Sequence, residues 1–129
     1  MINFKLLSIS TALIALTLCA VLLLVPEVLF WLFGVEAYSS ALFMGRRAAM
    51  LFLGLSVLSW SVRSFGHSEY RQSVCLCFSV SMFGLATLGT VEYFRGFAGA
   101  GILLAIVTET ILAVLYLKIW INGRHCAKA

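Results

Sequence analysis

LLSISTALIALTLCAVLLLV, residues 6–25, is the stretch on which the fold turns. It holds no charged side chain, and Lys5 stands immediately before it. About 20 apolar residues, rising ~1.5 Å each as an α-helix, cross the hydrocarbon core of a bilayer. The run is longer than the apolar region of a signal peptide and lacks a small-x-small cleavage site. Leu18 before Cys19 also stands where a lipoprotein signal needs a small residue. A retained first membrane helix is the expectation.

The pattern repeats outward from that stretch. Pro26-Glu27 ends the first span, since proline cannot continue a helix without a break. Residues 28–35 (VLFWLFGV) are apolar but too short to cross. They either lie along the interface or prolong the first helix beyond a kink. Glu36 to Ser40 is a polar break in which Ser39 or Ser40 is a candidate helix cap. Further spans are predicted over residues 41–62, 73–94 and 97–121. Residues 63–72 form a hydrophilic loop, Arg95-Gly96 a tight turn, and Asn122 to Ala129 a polar tail. No stretch alternates polar and apolar residues as a membrane barrel strand does, and helices satisfy their own backbone groups in lipid. The fold class is therefore all-α: a single polytopic domain of four transmembrane helices in a compact bundle.

Composition agrees. Of 129 residues, 63% are hydrophobic and only 11% charged, and mean hydropathy is +1.09. Soluble domains carry about 25% charged residues, so this chain has too little polar surface to cover itself in water. Four spans consume nearly all of the length and leave no room for a soluble catalytic domain. The net charge of +4 forms no continuous basic face, which argues against nucleic acid. The distribution of basic residues instead sets orientation. With both termini cytoplasmic, Lys5, Arg63, Arg71, Lys118, Arg124 and Lys128 lie inside. Arg46, Arg47 and Arg95 lie outside, beside Glu27, Glu36 and Glu92. Six against three favours N-in, C-in in a plasma or inner membrane. Trp31, Tyr38, Trp60, Tyr70, Tyr93 and Trp120 fall near span ends, where amphipathic rings favour the headgroup layer.

Glu109 is the most informative residue. It lies about 12 residues into the expected fourth span, near mid-membrane at ~1.5 Å per residue. A carboxylate there is costly unless protonated, hydrated or paired, which makes it a functional candidate. The plainer reading is a carboxyl that holds helices together. Thr108 and Thr110 either donate to it or bond to their own backbone. Arg46 and Arg47 are its natural counterparts. Adjacent helical positions diverge by about 100°, so one can reach Glu109 or Glu92 while the other snorkels to the headgroups. Glu92 and Arg95 are spaced to pair. Together Arg46, Arg47, Glu92, Arg95 and Glu109 define a candidate outward-opening pocket for an anionic lipid or small acid. The competing reading is internal ion pairing with no ligand.

Of the four cysteines, Cys19 is mid-span, and Cys75, Cys77 and Cys126 fall on the cytoplasmic side, where thiols stay reduced. Cys75-x-Cys77 in a helix places the sulfurs on nearly opposite faces, and His125 sits in the tail. No metal site, cofactor or catalytic residue is expected. Gly96, Ala98, Gly99, Ala100 and Gly101 open the expected fourth helix. With Gly45/Ala49, Ala86/Thr90 and Gly101/Ala105 they form small-residue seams that let helices approach closely.

Arg46-Arg47-Ala48-Ala49-Met50-Leu51-Phe52-Leu53-Gly54-Leu55, with Phe33-Gly34-Val35 and Glu92-Tyr93-Phe94-Arg95-Gly96, resembles small four-helix bacterial inner-membrane proteins of the DoxX-like and related unknown-function groups. The resemblance implies a four-helix bundle in a bacterial inner membrane and carries over no catalytic residue. The functional expectation is a non-enzymatic accessory subunit of a larger membrane complex, or a self-associating bundle. The alternative is a small transporter or lipid/solute-binding protein that uses the Arg/Glu pocket.

Overall fold

The computed structural model describes residues 3–126. Five helices and no strand occur among them: α1 (Phe4–Leu24), α2 (Pro26–Phe33), α3 (Ser39–Val62), α4 (Glu69–Phe94) and α5 (Ile102–Cys126). Four of these, all but α2, are long and apolar enough to cross a membrane.

Local chemistry explains the helix ends. Asn3 starts α1, its side chain accepting from the Lys5 amide at 3.1 Å. Pro26 sits in the first turn of α2, where the missing N–H has no partner to lose. The segment at 28–35 is thus a helix of its own, starting two residues earlier and set off from α1 by Val25, whose backbone (φ −140°, ψ 59°) is not helical. Gly34 closes it in the left-handed region at φ 65°, a conformation that glycine adopts without strain. Neither Ser39 nor Ser40 caps α3. Tyr38 holds the cap position without a side-chain bond, and both serines lie inside the first turn.

Two boundaries differ from the sequence expectation. Ser68 caps α4 by accepting from the Arg71 amide at 3.3 Å, so the helix takes in Glu69 to Gln72 and shortens the hydrophilic loop. Gly96 turns the chain at φ 78°, and residues 97–101 form a connection rather than the start of the last span. The reason is a backbone contact. The Gly99 amide donates to the Phe33 carbonyl at 2.6 Å. A Cβ on Gly101 would strike the Leu32 carbonyl. The small residues at 98–101 thus seat the end of α2 and do not form a helix–helix seam there.

The long helices associate chiefly as two pairs, α1 with α3 and α4 with α5. Both pairs are antiparallel. Ser56 of α3 donates to the Ala12 carbonyl of α1 at 2.8 Å, and Cys19 and Leu22 meet Ala49 farther along. Ser79 of α4 donates to the Ala113 carbonyl of α5 at 3.1 Å, and Gly89 faces Ile102 and Ile106. The pairs join through a shared core of Phe4, Leu7, Val62, Cys75, Phe78, Met82, Leu112, Ala113, Tyr116 and Ile119.

Candidate functional site

Two hydroxyls and a ring anchor the junction of the pairs. Tyr116 is fully buried and stacks on Phe78, with ring centroids 5.0 Å apart. Its hydroxyl donates to Thr11 Oγ1 at 2.9 Å, and Thr11 in turn donates to the Leu7 carbonyl at 3.0 Å. Every polar atom of that chain has a partner, as a low-dielectric interior demands. Sequence reading did not single out Tyr116. Its signal was a phenol placed deep in an apolar run, away from the span ends that its amphipathic ring favours.

Next to this anchor lies a cavity of about 200 Å³. All five helices contribute to its wall: Thr11 and Ala15 from α1, Leu32 and Phe33 from α2, Phe52 and Leu55 from α3, Met82 and Leu85 from α4, and Ala105, Thr108 and Glu109 from α5. The small side chains of Ala15 and Ala105 leave space that larger residues would fill. α2 matters here because its Leu29, Leu32 and Phe33 supply one wall, and the glycine contacts to residues 99 and 101 hold that wall in place.

Glu109 is the one ionisable residue in the lining. Because α5 begins at Ile102, it sits seven residues past the helix start. That places it about 10 Å along the axis rather than about 18 Å. The flanking threonines are occupied: Thr108 donates to the Leu104 carbonyl at 2.9 Å and Thr110 to the Ile106 carbonyl at 2.7 Å. Among the described residues the Glu109 carboxyl makes no hydrogen bond or ion pair, and the side chain is half-buried.

The five residues expected to cluster occupy three places. Glu92 and Arg95 pair at 3.3 Å at the end of α4, with the Arg95 guanidinium 5.0 Å from the Phe97 ring centroid. Arg46 and Arg47 are both exposed on α3. Arg47 reaches back one turn, its guanidinium 5.8 Å from the Phe43 ring centroid, in the direction of the helix start. Neither arginine, nor Glu92 or Arg95, lines the cavity that Glu109 borders.

Cys75 is buried and Cys77 exposed, both as free thiols, and Cys19 is a buried free thiol. Among the described residues no group of three or more His, Cys, Asp or Glu side chains converges. The side chains of Arg124, His125 and Cys126, together with Lys128, lie outside the described residues. No family model, characterised protein or solved structure matches the chain. Fold and composition define a class, a multi-pass membrane protein.

Proposed function

We propose that this protein binds a small, mainly hydrophobic molecule carrying one cationic or hydrogen-bond-donating group in the cavity between its helices. The observation that carries the reading is Glu109, whose carboxyl borders an otherwise uncharged cavity and has no protein partner among the described residues. Binding sites of this type are mostly apolar, with a few placed polar groups that fix orientation. An apolar cavity of ~150 Å³ holds benzene, so the volume of about 200 Å³ here suits about eight non-hydrogen atoms, in the same proportion. An amine or other donor would satisfy the carboxyl that the chain itself leaves unpaired. This keeps the solute-binding alternative but rests it on Glu109 rather than on the arginines.

In this reading the four long helices form a compact bundle in a bacterial inner membrane, with both termini cytoplasmic. The protein is non-enzymatic. Native mass spectrometry after extraction in mild detergent tests the proposal. The wild-type protein is expected to retain a molecule of that size, and Glu109→Gln to lose it while remaining folded. Retention unchanged in Glu109→Gln, or a wild-type protein that holds nothing, overturns the reading.

A second reading, an accessory subunit or self-associating bundle, rests on α3. It is the least buried of the four long helices and carries Arg46, Arg47 and several exposed apolar side chains on its surface. Co-purification of further subunits, or multiples of the chain mass, would favour it.

A further inference from the structure

At the opposite end of the molecule, the start of α1, the end of α3 and the start of α4 border a second cavity of about 650 Å³, open to the surroundings. Its lining holds Lys5, Arg63, Arg71 and His67, together with Ser64, and contains no carboxylate among the described residues. Glu69 lies in the first turn of α4 but is not part of that wall.

Two of the cations are held in place by aromatic rings. The Arg71 guanidinium lies 4.4 Å from the Phe4 ring centroid, and that of Arg63 lies 4.2 Å from the Trp60 ring centroid. Arg63 is held further by donation to the Trp60 carbonyl. Ring contacts of this kind orient a guanidinium and leave its edge donors free. Arg71 Nε is buried and has no hydrogen-bond partner, while the rest of the guanidinium group lies beside the Cys75 thiol, a weak acceptor. A buried charged donor without an acceptor is unfavourable, so the site is short of acceptors. The amide ends of α1 and α4, capped by Asn3 and Ser68, add partial positive charge beside it.

We propose that this cavity binds a phosphate-bearing anion. Three positive charges, two of them held by aromatic rings, repel one another in a wall without a carboxylate, and an oxyanion both neutralises them and supplies the missing acceptors. Phosphate is favoured over a carboxylate because its several oxygens can serve Lys5, Arg63 and Arg71 together. Basic residues at this end also set membrane orientation. Orientation, however, requires only that they share a side, and here they converge on one cavity. The phosphate belongs either to a lipid headgroup, which basic pockets between membrane helices take readily, or to a free solute.

The test uses the full-length protein in a neutral detergent and follows its thermal unfolding midpoint. One arm titrates inorganic phosphate against chloride at constant ionic strength. The other titrates phosphatidylglycerol against phosphatidylcholine. A rise with phosphatidylglycerol alone identifies a lipid headgroup, and a rise with inorganic phosphate identifies a free anion. Either supports the site. The double variant Arg63→Gln/Arg71→Gln is expected to bind the effective probe at least about tenfold more weakly, the scale of one lost charge-assisted hydrogen bond. Arg46→Gln/Arg47→Gln, on α3 and outside the cavity, should respond like wild type. If the double variant does not fold, Lys5→Gln replaces it, with weakened binding expected in the same direction. No midpoint shift in the wild-type protein with either probe overturns the proposal. Equal loss in the Arg46/Arg47 variant does so too, by reducing the effect to net charge.

Discussion

At the residue scale, the Tyr116–Thr11 contact separates two kinds of loss. Tyr116→Phe removes the donor and leaves Thr11 still bonded to the Leu7 carbonyl. Only the net value of one hydrogen bond is lost, about 0.5–1.5 kcal/mol. Thr11→Val removes the acceptor and leaves the buried phenol hydroxyl only the neighbouring Ser8 hydroxyl to turn to, at a cost of up to about 1–3 kcal/mol. Thermal unfolding in detergent should therefore rank Thr11→Val as the more damaging change. The reverse order would mean that the hydroxyl finds another acceptor, and the junction would not depend on this pair. The same scale shows why the candidate site was only partly legible. Glu109 stood out because a carboxyl within an apolar run is rare at any register. Its surroundings did not. In the sequence Arg46 and Arg47 were its counterparts only because they enter the second span from the outer side. Which way each faces is set by helix pairing, and no local pattern in α3 revealed that face.

At the scale of elements, α2 and the connection before α5 depend on each other. The sequence marked 28–35 as too short to cross and offered two fates, without indicating that this segment would wall a cavity. Residues 97–101 read as the start of the last helix because small residues at short spacing are what a helix seam requires. Their actual partners, Leu32, Phe33 and Gly34, are remote in sequence, and so the close approach had no local signature. By contrast, the four long hydrophobic runs were legible, since length and apolarity decide a span without knowledge of its neighbours. Glycine substitutions test the dependence. Gly101→Ala would place a Cβ on the Leu32 carbonyl, and backbone must move to admit it. A loss of about 1–3 kcal/mol, the usual range for an overpacked site, is expected. Gly54→Ala meets nothing within 4 Å and sits inside α3, where alanine is favoured by about 0.5–1 kcal/mol. It should leave the unfolding midpoint unchanged or raise it. A Gly101→Ala protein as stable as wild type would show that α2 is not held by this contact.

At the scale of the whole molecule, two antiparallel pairs meet along a core that is continuous near one end and interrupted by the cavity elsewhere. Filling that gap should separate stability from binding. Ala105→Leu adds apolar volume where the wall is thin, so it is expected to keep or raise the unfolding midpoint by up to about 1 kcal/mol while excluding the retained molecule. A destabilised variant would mean that the cavity wall cannot accept a larger side chain. The proposed orientation of the molecule rests on the asymmetry of its ends. Lys5, Arg63 and Arg71 gather at one, and the other carries the Glu92–Arg95 pair. Basic residues near span ends remain on the cytoplasmic side, so the loop at 63–68 should be internal and the connection at 95–101 external. In a protein whose native cysteines are replaced, Ala98→Cys should react with a membrane-impermeant maleimide on intact cells. Ser64→Cys should react only after the membrane is opened. The opposite pattern would reverse the topology and place the phosphate-seeking cavity on the outer face. The two cavities would then exchange sides together, because both are built into a single helical arrangement.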